Sequence, residues 1–447
     1  MGYVSQRRVR RQGPYYYPMI QAPTPPPLRG DDTAWLLVST ALVLLMTPAL
    51  GFFYGGLVRR KNVLNTMMMS LVSLGAVGLA WALLGYSLAF TPGGAWLGGL
   101  GHALLRDVGL ATGPWGAFPQ LLHFAYQGAF AIITAALVSG AVVERVRFGA
   151  YVWFIALWSL VVYAPTAHWV WGGGWLGRLG ALDFAGGTVV HINAGAAALA
   201  CAWAVGKRKD YGRQAFLPHN VPYVMLGAAL LWFGWFGFNG GSAGSAGPVA
   251  VLAFVNTLLA PGAALLMWML LDRWRHGRPT AVGAATGAVV GLVAVTPAAG
   301  YIAPAHALVL GTLAALPSYF VMMWRPRAAL DDSLDVFAAH GLGGITGALL
   351  TAVFAQRAWH APADGVIAGE WGLVLVQSIA VAAVFVYSLV STFVLLKLIG
   401  LGFGLRPSER EEGIGMDVVQ HGEEAYNRGE GAVLVLGARA PRGESNP

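Results

Sequence analysis

Two histidines stand inside long apolar stretches: His191 in Thr188-Val-Val-His-Ile-Asn193 and His340 in Val336-Phe-Ala-Ala-His-Gly341. An ionisable side chain in hydrocarbon is costly, and by default it marks a functional position. Small residues surround both, Ala194 and Gly195 in one segment, Ala338, Ala339 and Gly341 in the other, so helices carrying them pack closely. Burial favours the uncharged imidazole. Each neutral ring offers one donor and one acceptor, which suits a small neutral polar molecule and fits a permanent cation poorly. The plainer alternative is that each imidazole bonds a backbone carbonyl or the other helix. No carboxylate or third histidine stands at ligand spacing on these segments, so a metal site ranks well below a substrate.

Aromatic residues supply the second set of candidates. His168 and Trp171 lie in Ala167-His-Trp-Val-Trp-Gly-Gly-Gly-Trp175. Tryptophans near a membrane interface ordinarily form its aromatic belt. The rival reading is a cation platform, because Trp has the strongest cation–π face. His123, Tyr126, Gln127 and Phe130 form another cluster, and Trp232, Phe233, Trp235, Phe236 and Phe238 crowd the run before Ser242. Such runs serve packing more often than gating. Asp183, in Leu182-Asp-Phe-Ala-Gly-Gly-Thr188, suits the capping of a helix start. It would also attract a cation to a pore mouth, and the two roles are compatible.

The elements that carry these residues follow from charge and hydropathy. Only 11% of the 447 residues are charged and 57% are apolar, too few charges to cover a water-soluble surface. That excludes most soluble enzyme folds. A single cysteine, Cys201, permits no internal disulfide and no CxxC site. Charge-free windows run 33–58, 62–105, 108–143, 148–177, 184–206, 214–271, 279–324, 336–356 and 371–396. A span needs about 20 apolar residues. Asn239 to Pro248 divides one long window, Pro297 to Pro304 another, and a Gly/Pro-rich loop lies around 91–117. The expectation is an all-α polytopic membrane protein of eleven spans. Alternate loops hold fourteen Lys and Arg and the intervening loops three, which puts the N-terminus outside and the C-terminus inside. The basic balance is therefore topological, with no nucleic-acid footprint.

Eleven divides as five, five and one, and an odd block of five re-enters the membrane inverted, as in many transporters. His191 then lies in the fifth span and His340 in the tenth. Asp183 stands eight residues before the first and Asp335 five before the second. Three regions result: a basic, Pro-rich leader at 1–30 that reads as disordered, an eleven-helix domain at 31–400, and a cytoplasmic tail at 401–447. The leader carries Arg7, Arg8, Arg10, Arg11 and Arg29 on the expected outer side, and initiation at Met19 would remove four of them.

Longer strings carry a resemblance. Phe52-Phe-Tyr-Gly-Gly-Leu-Val-Arg-Arg-Lys-Asn-Val-Leu64, Ala164-Pro-Thr-Ala-His-Trp-Val-Trp-Gly-Gly-Gly-Trp175, Ala181 to Asn193, Gly234 to Gly244, Thr296-Pro-Ala-Ala-Gly-Tyr301 and Asp335 to Gly341 stand in order. Over about residues 32 to 426 the chain resembles the Amt/Mep/Rh ammonium transporters, specifically their bacterial and archaeal Amt branch. The resemblance implies a homotrimer in the cell membrane with one pore per subunit, and neither cofactor nor metal. It implies ammonium recruitment at Trp171, Tyr126 and Ser242 with Asp183 in support, a gate of Phe130 and Phe238, and a conduit lined by His191, His340 and Trp235. It also implies a regulatory tail from Glu409 to Tyr426 and a PII-type partner at the cytoplasmic face. Tyr126 stands where many members have Phe, and Asn65 where some have Ser.

Other classes fit less well. A sensor of the same fold acting through a PII-type protein is the alternative, although residues 427–447 are too few for an appended signalling domain. An intramembrane enzyme needs a nucleophile or metal triad, and a sugar or amino-acid symporter needs larger polar side chains in its spans.

Overall fold

The computed structural model describes residues 25–426. Most of the leader, with its Met19 question, and residues 427–447 lie outside the described residues. Among the described residues the elements are helices, in the order α1 Gly30–Leu57, α2 Arg60–Phe90, α3 Gln120–Ser139, α4 Phe148–Leu179, α5 Gly187–Val205, α6 Val221–Gly241, α7 Pro248–His276, α8 Ala281–Val295, α9 Pro304–Arg327, α10 Phe337–Phe354 and α11 Gly372–Phe403. Two short helices follow, α12 Glu409–Ile414 and α13 Met416–His421. Ten of these are long and apolar enough to cross a membrane. The exception is α8, whose 15 residues rise only about 22 Å against a hydrocarbon core of about 30 Å. Helix α11 runs past the charge-free window that predicts it. It takes in Lys397, whose ammonium sits 5.1 Å from the Phe393 ring centre.

Helices α1 and α6 pack along each other, and α5 and α10 meet beside them. The α5–α10 contact is unusually close because it is made by glycine. A Cβ on Gly195 would fall 2.3 Å from the Gly341 Cα. Both helices begin with a π-helical turn, Gly187–Ile192 and Phe337–Gly341, and each turn contains its histidine. Such turns recur at functional sites, because the extra residue re-aims one side chain.

The starts of α5 and α10 correspond more closely than the sequence reading has it, through a different carboxylate. Asp183 accepts hydrogen bonds from the N–H groups of Gly186, Thr188 and Val189 at 2.9–3.0 Å. Asp332, also eight residues before its histidine, accepts from the Phe337 N–H at 2.7 Å. Asp332, not Asp335, is therefore the counterpart of Asp183. The competing acidic residues at 331, 332 and 335 differ only in which one reaches the helix start, and that is a matter of geometry.

At the Arg325 end a buried ion network ties four segments together. Arg208 bonds both Asp331 oxygens at 2.9 Å, and Arg59 pairs with Glu144 at 2.8 Å. Burial opposes ionisation of Glu144, yet the Arg208 and Arg59 guanidinium groups hold its carboxyl below the usual carboxylate range. The tail docks against the same end. Asp417 accepts from the Asn65 N–H at 2.8 Å in the first turn of α2, and Met416 N–H donates to Asn62 Oδ1 at 2.8 Å. Lys61 donates to the carbonyls of Glu412 and Gly413, and the Tyr426 hydroxyl meets His219 Nε2 at 3.1 Å.

Candidate functional site

Three cavities adjoin within the helix bundle, the first meeting the second at the Phe130–Phe238 stack and the second meeting the third at His340. The first, of about 270 Å³, is lined by Tyr126, Phe130, Trp171, Asp183 and Ser242 among others. Its polar oxygens are already partly engaged. Tyr126 Oη faces the Gly237 and Phe238 carbonyls at 3.1 and 2.9 Å and Ser242 Oγ at 3.1 Å. Ser242 donates to the Phe238 carbonyl at 2.8 Å, which leaves oxygen lone pairs for a donor in the cavity. The Trp171 indole N–H is held by the Asp183 carbonyl at 2.9 Å, which fixes the ring. Asp183 itself is buried and spends its carboxylate oxygens on the α5 start. Burial pushes this carboxyl up to about 6, against the pull of its N–H donors. Its direct contact is a cap, and any attraction of a cation is indirect.

The floor of this cavity is a pair of rings. Phe130 and Phe238 stack with centroids 4.2 Å apart, and both are almost wholly buried. The edge of Phe130 meets Trp171 at 6.1 Å. Beyond the rings lies a narrow duct lined by Phe238, His191, Trp235, Ile133, Leu231 and His340. Its free volume is about 10 Å³, close to the smallest space that holds a water.

Inside the duct His340 Nδ1 and His191 Nδ1 are 3.3 Å apart, and the rings are inclined by 24°. Two Nδ1 atoms facing each other require one donor and one acceptor. One ring is then protonated at Nδ1 and bare at Nε2, and the other is the reverse tautomer. The pair therefore presents one acceptor and one donor beyond their mutual contact. His191 Nε2 is buried and has no hydrogen-bond partner, although the general cost of burying such an atom is about 1–3 kcal/mol. Trp235 stacks on His191 at 5.4 Å and is itself anchored by its N–H to Thr296 Oγ1 at 2.9 Å.

The third cavity, of about 180 Å³, shares Phe53, Val289 and His340 with the duct and opens toward Asp335 and Arg325. The structure thus brings together every residue expected at the site, with Asp183 one step behind Trp171. Sequence reasoning did not select the α1 side chains Met46, Leu50 and Phe53, which wall the duct, nor Arg325. Apolar residues of α1 carry no signal separating duct wall from core. His123 was noticed but given no role. It lines the first cavity, stacks on Trp115 at 4.9 Å and meets the Tyr86 hydroxyl at 3.1 Å.

The chain is similar to known proteins over most of its length. The model of the Ammonium Transporter Family matches residues 34–426. An ammonium transporter of Bacillus subtilis is 46% identical over 402 residues, covering 89% of this chain and 99% of that one. Ammonium transporter Amt1 of Archaeoglobus fulgidus is 44% identical and covers 89% of this chain and 100% of that one. Among solved structures, Saccharomyces cerevisiae Mep2 superposes with a TM-score of 0.83 at 35% identity, covering 91% of this chain and 93% of that one. A sensor Amt protein superposes at 0.81 with 27% identity, covering 88% of this chain and 98% of that one.

Proposed function

The chain belongs to the ammonium transporter family, and from that premise we propose that it recruits ammonium at the Trp171 cavity and conducts ammonia past the paired histidines into the cytoplasm. The observation that carries this reading is the duct itself: two neutral-capable imidazoles in contact, in a space for one small molecule, closed by stacked Phe130 and Phe238. Ammonium and potassium are nearly the same size, so a sieve cannot separate them. A charge at the bilayer centre costs at least about 2.5–3.5 kcal/mol, about a hundredfold in population. Ammonium escapes that cost by giving its proton to water on the outer side, so that an N–H bond breaks as hydronium forms, and potassium has no proton to give.

In this mechanism the Trp171 face attracts the cation, worth about 0.5–2 kcal/mol. Ser242 and Tyr126 oxygens accept its N–H groups. Ammonia then passes the two phenyl rings when they part and exchanges hydrogen bonds with His191 and His340, while Trp235 keeps the conduit apolar. The positive-inside pattern orients the Trp171 cavity outward and the Arg325 cavity inward, with eleven spans once α8 is counted. The proposal includes residues 31–400 as the conducting domain, a homotrimer, and a tail from residue 401 that regulates flux and receives a PII-type protein. A sensing role is the second reading, favoured by the likeness to a sensor Amt protein.

The test is expression in a strain unable to take up ammonium, together with flux measurements on the purified protein in liposomes. Restored growth and ammonium-dependent flux are expected. Ammonium binding without flux, in correctly inserted protein, would replace transport with sensing.

A further inference from the structure

The correspondence between the halves leaves one carboxylate, Asp335, that caps neither helix and pairs with Arg325 through both oxygens. Eight residues before each histidine, Asp183 and Asp332 cap their helices. Five residues before, the first half has Gly186 at φ +113° and the second has Asp335 at φ +58°. Both turns enter the left-handed region, where glycine sits freely and an L-residue is strained. Asp335 thus occupies, at a conformational cost, a turn that its counterpart fills with glycine. Strain of this kind is a pointer to function when another observation joins it. Here the second observation is position. Asp335 lines the 180 Å³ cavity whose wall includes His340, and its side chain is 15% exposed.

We propose that Asp335 is the proton-exchange group of the inner mouth, delivering a proton to ammonia that has passed His340. This rests on the transport reading above. The step balances: the carboxylic acid O–H breaks, an N–H bond forms, and ammonia plus acid become ammonium plus carboxylate. The carboxylate then takes a proton from cytosolic water and is ready again. Arg325, whose Nη2 lies 3.1 Å from Asp335 Oδ2, stabilises the carboxylate between the two events.

Asp335 meets one arginine, Arg325, whereas Asp331 and Glu144 each meet two. Asp331 and Glu144 are locked by Arg208, Arg145 and Arg59, and their carboxyls are held below the ordinary range against the opposing effect of burial. Asp332 caps α10 and does not line the cavity. For Asp335, burial pushes the carboxyl up to about 7, with Arg325 opposing and Asp332 adding to the rise. Of the carboxyls at this end, the one that lines the cavity beside His340 is thus shifted toward its protonated form.

The experiment measures ammonium influx in right-side-out and inverted membrane vesicles, with the pH of each face set independently. For the wild type, influx should fall as the cytosolic-face pH rises through about 7. Asp335→Gly keeps the turn, removes the strain and the carboxylate, and should flatten that dependence with several-fold lower influx at pH 6. Asp335→Asn should behave alike, Asp335→Glu should restore the dependence, and Arg325→Met should move the midpoint to higher pH. A cytosolic-face profile in Asp335→Gly that matches the wild type overturns the proposal while leaving transport intact. No ammonium flux in the wild type would instead defeat the transport reading.

Discussion

At the scale of single residues, the chemistry rests on what the two imidazoles leave unused. Their mutual contact consumes one nitrogen each, so the duct offers ammonia a single acceptor and a single donor. Replacing either ring by leucine keeps much of the volume and removes the polar partner. Stranding ammonia without it costs about 1–3 kcal/mol, or about 5–160-fold in flux. We expect His191→Leu and His340→Leu each to lower ammonium flux by at least about fivefold in liposomes while the protein still inserts and purifies intact. Wild-type flux in both variants would sink the assignment. These histidines were legible in the sequence because an ionisable ring in an apolar run is costly and therefore stands out. Asp332 was not, since three carboxylates within five positions look alike until one of them is seen to meet the Phe337 N–H.

At the scale of elements, the site depends on how closely α5 approaches α10. Gly195 faces Gly341 so tightly that any side chain must drive the helices apart. Overpacking of this kind costs about 1–3 kcal/mol. Gly195→Val should lower the melting temperature in detergent and lengthen the His191–His340 contact, with flux falling as in the leucine variants. Normal melting together with normal flux would show that the glycine contact is dispensable. The helices themselves were readable from charge-free windows, because hydrocarbon tolerates so few alternatives. Two features escaped that reading. The short α8 stands inside a window long enough for two full spans, and the π-turns of α5 and α10 have no compositional mark.

For the molecule as a whole, the tail fastens together the helix ends at the Arg325 side of the bundle. Asp417 caps α2, Lys61 holds the α12 carbonyls, and Tyr426 fastens to the segment before α6. Truncation after Leu405 removes all three contacts together. Loss of the cap alone costs about 1 kcal/mol. The truncated protein should insert normally, melt a few degrees lower, conduct ammonium more slowly and fail to bind a PII-type protein. Unchanged flux and unchanged PII binding would reduce the tail to a passive appendage. The resemblance implies a regulatory tail, but its contacts could not be read from the sequence, because Asn62 and Asn65 lie more than 350 residues away.

The volume of the duct has a consequence for the cell that lies outside nitrogen chemistry. A passage with room for about one small molecule is single-file, so solvent cannot slip past the cargo. Its rings and alkyl walls offer a water column almost nothing to bind besides the two imidazoles. Under the proposed function ammonia crosses without an accompanying stream of water, so a cell that makes many copies of this protein would gain a route for nitrogen without becoming osmotically leaky.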